Sequence, residues 1–378
     1  MILAQKAIFA TDVIPFEIEL ETSEEEILEE NTESPEPSTS SPKLSEEELM
    51  TKFFDILSGI ILNRNEYVLN HDIESLEKLY DTDIKVSRYA FEHESIKADY
   101  LANWAQKQGI TFSDIDSFIK MRKVRDRENG LFGMTCNINT TYTYHYNNEP
   151  EVSTSFSLGT SHYIHLQQKG EDYVIVKEWY TDPFSDSLEL KGKEPQELTD
   201  FIVSQNAPDF TPSETLKKGL EYAHTYCGIG AGEHMFKYNS KSYMDCNPLG
   251  GDCANFASQI MFESGAFKKN GTWNYDGDGT ATWVNAQKLT YYLMNSGRGG
   301  RIAHGSYEKV YKSAFNLRPG DIVAYEKKGR ITHVSTVTAL DNKGYPLVTC
   351  HNTDRLVVPY DLGWSNSNIT FHLIDVYY

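Results

Sequence analysis

The fold of the C-terminal part of this chain is decided by one stretch, Gly250-Gly251-Asp252-Cys253-Ala254-Asn255-Phe256-Ala257-Ser258-Gln259. Its two glycines permit a tight or left-handed turn, and Asp252 is a good N-cap for a following helix. An apolar helical face is then supplied by Phe256, Ala257, Ile260 and Met261. The pattern therefore predicts a helix whose first turn carries Cys253 and which ends at Gly265.

A cysteine at the start of a helix has two interpretations. The helix macrodipole and the unpaired N–H groups there favour a thiolate, which is the nucleophilic form of cysteine. The same N–H groups suit an oxyanion. Alternatively, Cys253 is a buried structural residue of an ordinary helix. The local sequence does not separate the two interpretations.

The residues downstream favour a catalytic role. Residues 317–325 read as a turn into a strand, 327–330 as a hairpin, and 331–337 as a return strand that carries His333 near its start. A third strand, 346–350, ends in polar residues. A helix with cysteine, then a strand with histidine, then another polar residue is the chain order of papain-like hydrolases, in which a base activates the thiol and a third group orients the base.

Five ordered motifs carry a resemblance to a known family. They are Gly251-Asp252-Cys253-Ala254-Asn255-Phe256-Ala257-Ser258-Gln259, Thr282-Trp283-Val284-Asn285, Pro319-Gly320-Asp321-Ile322-Val323, Thr332-His333-Val334 and His351-Asn352-Thr353-Asp354-Arg355. Together they resemble the bacterial putative amidase domain family, which is related to the CHAP and NlpC-type cell-wall hydrolases. The resemblance covers residues 211–378. Ala254 departs from it, because threonine is commoner there in the family.

The resemblance implies a papain-like α+β domain that hydrolyses amides through an acyl-thioester. It implies Cys253 as nucleophile, His333 as general base and then general acid, and His351 as the third residue, with Asn352 as the alternative. Peptide or peptidoglycan amides are the implied substrates, and export or a cell-envelope location is the implied setting, although no clear signal peptide is readable. The chemistry needs no cofactor and no metal.

Composition excludes several partners. The 378 residues carry a net charge of −20, and residues 1–50 account for much of it. Nothing is basic enough to neutralise a phosphate backbone, so nucleic acid is not an expected partner. No apolar run is long enough to span a membrane. Five cysteines are too few for a disulfide scaffold, and whether Cys227 and Cys246 pair stays open, as does the oligomeric state.

The N-terminal half is predicted to contain an acidic disordered tail, 1–45, and an α+β accessory domain, 46–188. A capping-box start at Ser45 opens the first helix. Helices near 73–80 and 86–108 precede four strands near 114–126, 136–146, 153–167 and 172–181. This order resembles the nuclear transport factor two-like (SnoaL-like) cone fold. No convergent acid–base pair is visible in it, and His145, His162 and His165 read as polar strand positions.

Residues 189–210 read as a linker, after which Thr211 is predicted to cap a helix that Gly228 ends. Two metal sites were considered and are not favoured. A zinc set would use Cys246, Cys253, Cys350 and His351 but has no Cys-x-x-Cys pair. A calcium loop at 274–279 lacks the expected Glu at its twelfth position. The functional alternatives are a non-catalytic papain-like binding module of the cell envelope and a thiol transamidase.

Overall fold

The computed structural model describes residues 44–184, 196–230, 236–364 and 368–378. Most of the acidic segment interpreted as a tail, and residues 185–195 around the start of the linker, lie outside the described residues. The predictions made for those segments therefore stay predictions.

Three helices open the described chain. They are α1 (Glu46–Leu69), α2 (Ile73–Glu77) and α3 (Lys85–Gln108). The capping box predicted at Ser45 is confirmed: its hydroxyl accepts the Glu48 N–H at 3.3 Å, and the Glu48 carboxylate accepts the Ser45 N–H at 2.8 Å. Two otherwise unsatisfied N–H groups of the first turn are thereby paired, which fixes where α1 begins.

The period-two pattern that follows forms the predicted antiparallel meander. Its strands are β1 (Ile110–Asp126), β2 (Leu131–Tyr146), β3 (Ser153–Lys169) and β4 (Asp172–Tyr180), each paired with the next. The aromatic face predicted for β2 is buried at Tyr142, Tyr144 and Tyr146. Alternation along a strand therefore identified correctly which side of β2 meets the core.

The remainder of the described chain alternates short helices with strands. The helices are α4 (Gln196–Val203), α5 (Glu214–Tyr226), α6 (Cys253–Glu263), α7 (Ala281–Val284), α8 (Ala286–Asn295) and α9 (Tyr307–Ala314). The strands are β5 (Tyr275–Asp276), β6 (Asp278–Gly279), β7 (Gly299–Gly305), β8 (Ile322–Lys327), β9 (Arg330–Leu340), β10 (Pro346–Cys350), β11 (Asp354–Pro359) and β12 (Ile369–Val376). Residues 196–203 of the segment interpreted as linker thus form a helix, with Leu198 and Ile202 buried.

A single ten-stranded sheet organises the described chain. Its order is β1-β2-β3-β11-β10-β9-β8-β12-β7, with β4 added to β3. Leu158 of β3 pairs with Arg355 of β11, so the N-terminal meander continues into the C-terminal strands. The predicted α+β class is confirmed. No helix in the described ranges combines the length and apolarity needed to cross a bilayer.

The start of α5 differs from the prediction. The side chain of Ser213, not that of Thr211, accepts the N–H of Leu216, at 3.1 Å. Thr211 followed by Pro is also a capping pattern. Ser213, however, is two residues closer to Leu216, the first buried position, and the helix begins where Leu216 reaches the core. The predicted end is right, since Gly228 has a φ of 81°.

Candidate functional site

The turn before α6 is built as its glycines predicted. Gly250 and Gly251 have φ values of 110° and 132°. A side chain at Gly251 would lie 2.4 Å from the amide nitrogen of Asn352, so this position also requires the absence of a Cβ. The turn brings the start of α6 against the residues that follow β10.

Asp252 occupies the N-cap position, but its side chain does not cap α6. One carboxylate oxygen accepts the N–H of Cys246 at 2.9 Å and the amide of Asn255 at 2.8 Å. The other oxygen lies 2.6 Å from Nδ1 of His351. The prediction that the Asp252 side chain caps α6 is therefore wrong. Its carboxylate instead holds the loop before the helix and the ring of a histidine.

Cys253 is the first residue of α6, and only 5% of its surface is exposed. The backbone N–H of Val334, on β9, favours the thiolate and so lowers the pKa of this thiol. Burial nevertheless raises the pKa of the Cys253 thiol to about 12. The resting group is therefore a neutral thiol, and the thiolate expected from the helix dipole alone is not the resting state.

His333 lies on β9 opposite Tyr325 of β8. Its Nε2 is 3.2 Å from the hydroxyl of Ser335 and 3.3 Å from the sulfur of Cys350, and its ring stacks on Trp364 at 5.1 Å between centroids. Burial, assisted by the positive charge of Arg355, lowers the pKa of His333 to about 3. The imidazole is therefore neutral near pH 7.

The structure does not bring His333 to Cys253. Val334 packs in the same hydrophobic cluster as Cys253, whereas Tyr325, the cross-strand neighbour of His333, belongs to the other cluster. Because side chains alternate along a strand, His333 faces the opposite side of the sheet from Val334. Among the described residues no hydrogen bond joins His333 to Cys253; the thiol that it contacts is that of Cys350.

His351 lies on the same side as α6, stacked on Phe256 with 3.8 Å between ring centroids. Its Nδ1 faces the Asp252 carboxylate, and its Nε2 faces the backbone carbonyl of Tyr226 at 2.9 Å. Both neighbours only accept hydrogen bonds, so both ring nitrogens carry protons. Burial opposes that charge, but the bond to Asp252 and the nearby carboxylates outweigh it and raise the pKa of His351.

Asn352, the alternative third residue, serves the loop before α6. Its side-chain oxygen accepts the N–H of Asp252 at 2.8 Å, and its own backbone has a φ of 72°. His351 and Asn352 therefore both contact Asp252, and neither has a hydrogen bond to His333 within the ranges that the structure covers. The orienting contact that the sequence predicted for a third residue is not seen in this arrangement.

A cavity of about 270 Å³ opens beside this cluster. Its lining is polar and partly acidic and includes Tyr238, Asn239, Asp245, Asp252, Gln259 and His351. Cys253 is not among the lining residues described, although Asp252 directly precedes it. The cavity is therefore adjacent to the thiol and is not opened onto it.

The N-terminal half contains a buried charged network that the sequence did not reveal. Arg64 binds the Glu178 carboxylate at 2.9 Å, and Nδ1 of His162 lies 2.9 Å from the same group. Glu94 pairs with Lys97 at 2.5 Å. His162 was interpreted as a plain polar strand position, yet it is buried. The sequence feature that indicates this buried network is Arg64, because it continues the apolar stripe of α1 at helical spacing.

The zinc set formulated from the sequence is not among the converging groups of His, Cys, Asp and Glu in the described residues. Where His, Cys, Asp and Glu side chains converge as possible ligands, the residues are His304, Glu326 and His372. All five cysteines are free and buried.

The fold and site define a mixed helix and antiparallel-sheet protein in which a buried cysteine begins a helix packed on the sheet. Residues 214–374 match the model of a family described as "Putative amidase domain". The match supports the amidase-domain family for this segment and indicates amide hydrolysis as the general class of activity.

Other comparisons add little. No curated protein matches the sequence. A solved structure titled "Crystal structure of intermembrane space region of chloroplast protein ARC6" aligns over 37% of this chain and 98% of its own, at 10% identity and a TM-score of 0.27. A likeness at that level carries no argument.

Proposed function

We propose that residues 211–378 hydrolyse an amide through a thioester formed on Cys253, with peptide or peptidoglycan amides as substrates in the cell envelope. One observation supports this most: Cys253 begins α6 and packs in the same hydrophobic cluster as Val334, the residue next to His333. The helix that carries Cys253 and the strand that carries His333 thus pack together inside the segment that matches the amidase family.

The proposed reaction has two halves. The Cys253 sulfur attacks the amide carbonyl carbon while its proton passes to His333, and the amine leaves with that proton as the thioester forms. Water then attacks the thioester carbonyl, gives a proton to the base, and releases the acid and the thiol. The N–H groups at the start of α6 stabilise the oxyanion of both tetrahedral intermediates.

His333 is assigned as the base because its imidazole is neutral and can accept a proton, whereas His351 already carries two. The assignment requires His333 to leave Cys350. A β-bulge at Thr332 directly precedes it, where β9 loses register with β8. A one-residue register change at this bulge would carry His333 to the face of Cys253.

A second function is favoured by the separation of Cys253 and His333. A buried neutral thiol without a base suits a papain-like binding module that holds a peptide in the acidic cavity beside His351 without cleaving it. A third outcome, transamidation, uses the same thioester but transfers the acyl group to an amine.

The test compares variants of the full chain on peptidoglycan fragments, with products identified by mass spectrometry. Cys253→Ser should reduce product formation by at least a thousandfold, while Cys136→Ala, a buried thiol of the N-terminal half, should retain it. Cys350→Ala should raise the rate a few-fold, since it removes a hydrogen bond worth about 1 kcal/mol that holds His333 away.

Each remaining outcome is decisive. Binding of the fragments without any product, equal for the wild type and Cys253→Ser, would establish the binding module. Amide products that appear only with added amine would establish transamidation. Full activity in Cys253→Ser would remove the cysteine mechanism altogether.

A further inference from the structure

Three potential metal ligands converge on the sheet at some distance from the cysteine. His304 of β7 pairs directly with His372 of β12, and Glu326 of β8 pairs with Thr370, two residues from His372 along β12. Their side chains share one face, because His372 pairs with Ala324 and positions 324 and 326 point the same way. We propose that His304, Glu326 and His372 form a Zn²⁺ site.

The donor atoms suit this ion. Two imidazole nitrogens and one carboxylate oxygen are a ligand set that Zn²⁺ accepts, with water completing a tetrahedron. The three donors lie within 4.8 Å of one another. Ligand atoms around a tetrahedral Zn²⁺ are about 3.4 Å apart at ordinary bond lengths, so small side-chain rotations complete the site. Nε2 of His372 and Glu326 Oε2 are already 2.7 Å apart.

The ring of His372 is buried and has one hydrogen-bond partner, Glu326, among the described residues. His372 is 3% exposed, and its Nδ1 is buried with no hydrogen-bond partner among the described residues. The ion would bind through Nε2, the nitrogen that faces Glu326, while Nδ1 would keep its proton.

The surroundings allow an ion to reach the site, but a nearby positive charge opposes its binding. His304 is exposed, and the Glu326 side chain is 23% exposed, so an ion can enter from solvent and keep a water ligand. The positive charge of Arg301 acts on His372 and weakens binding of any cation. The carboxylate of Glu326 offsets that charge at the site itself.

The site is separate from the proposed thiol chemistry. Val334, which packs in the same cluster as Cys253, pairs with Ala324, and Ala324 pairs with His372. Two strand spacings, or about 10 Å, therefore separate His372 from the strand position that Cys253 contacts. Such an ion would join three neighbouring strands, β7, β12 and β8. The sequence did not predict a metal because the three ligands come from three distant segments.

The test is metal binding by the full chain after removal of metals with a chelator. Calorimetric titration should show one Zn²⁺ per chain, and His304→Ala should weaken its affinity at least tenfold. Because His304 is exposed, this variant should keep the fold. His71→Ala is the matched control, since His71 also pairs with a carboxylate, Asp99, at 2.7 Å but lacks a third ligand. It should leave Zn²⁺ binding unchanged.

Substitution with Co²⁺ identifies the ligands directly. We expect the visible absorption of a tetrahedral nitrogen and oxygen site, lost in His372→Asn and unchanged in Cys253→Ser. A thiolate-to-metal band in the near ultraviolet, or Zn²⁺ binding that His304→Ala does not weaken, would overturn the proposal. Absence of saturable binding would also overturn it, and none of these results depends on whether the chain cleaves amides.

Discussion

Burial, more than the helix dipole, sets the charge of Cys253. The dipole and the N–H of Val334 favour a thiolate. The free energy needed to remove the anion from water is larger than the stabilisation that these groups provide, so the thiol stays protonated. The same cause keeps His333 neutral. The resting pair is therefore uncharged on both sides, and proton transfer from the thiol to the imidazole is unfavourable as long as both groups stay buried.

The neutral state of His333 should appear in the pH dependence of stability. Its folded pKa of about 3 lies below the usual unfolded value, so between about pH 6.5 and 3 the unfolded state binds the proton and the folded state does not. Stability is lost as the pH falls through this window, by up to about 1.4 kcal/mol per pH unit. His333→Asn should flatten this slope in urea unfolding measured from pH 6.5 to 4.

His351→Asn is the control, and it should leave the slope between pH 6.5 and 4 nearly unchanged, because its own contribution varies only at higher pH. The folded pKa of His351 is raised, so its contribution is fully present below the unfolded value and is lost as the pH rises through the folded one. Identical slopes for the wild type and His333→Asn would mean that the ring of His333 is solvated and not buried against Cys350.

At the residue scale, the sequence offers candidate residues but does not determine their contacts. The spacing of Cys253 from a later histidine-bearing strand is readable in the sequence. The face that His333 occupies is not, because one bulged residue, Thr332, reverses it. His351 was expected to orient a base and instead bonds Asp252, since the loop held by Gly251 brings that carboxylate within reach.

Among the elements, α5 offers a sharp test of how a helix start is chosen. Because the hydroxyl of Ser213 accepts the N–H of Leu216, Ser213→Ala should lower the free energy of unfolding by about 1 kcal/mol. Thr211→Ala should change it by less than about 0.5 kcal/mol, as expected for a position without a structural role. Urea unfolding of both variants measures the difference.

A larger loss of unfolding free energy in Thr211→Ala than in Ser213→Ala would restore the helix start that the sequence predicted.

Elements with strong periodicity were predicted well: α1, α3 and the four strands of the meander agree with their patterns to within a few residues, apart from an earlier start of β1 and of β2. The short helix α4 was not foreseen, because its two buried residues, Leu198 and Ile202, are too few to give a period.

At the scale of the whole molecule, a buried polar cluster ties the two halves together. Asp361, after β11, accepts hydrogen bonds from Trp104 at 3.0 Å and Tyr345 at 2.7 Å, and it pairs with the ammonium of Lys107. Leu44 to Tyr378 forms one compact unit by its contacts. The domain boundary that the sequence predicts between residues 188 and 211 therefore stays a prediction.

Asp361→Asn should therefore destabilise both halves together. It removes the buried carboxylate that pairs with Lys107, a change that costs about 3–5 kcal/mol. Urea unfolding followed by thiol labelling should give equal midpoints for Cys136 and Cys246, which are both buried, and should lower both equally in the variant. Glu74→Gln, at an exposed pair with Lys78, is the control and should change little.

Unfolding midpoints that differ between Cys136 and Cys246, with only one of them shifted by Asp361→Asn, would show two independent domains.

The sequence could not predict that the two halves share one sheet. Each half contains a satisfactory pattern of its own, and pairing between strands as distant as β3 and β11 leaves no local signal.

The pairing of β3 with β11 also has a consequence during synthesis of the chain on the ribosome. Residues Gly159 to Ser157 emerge long before their partners Asp354 to Leu356, so the nascent meander presents an open strand edge until the last part of the chain appears. Such an edge invites association with neighbouring chains. We expect nascent forms truncated before β11 to aggregate or to recruit chaperones, a burden that the completed sheet does not carry.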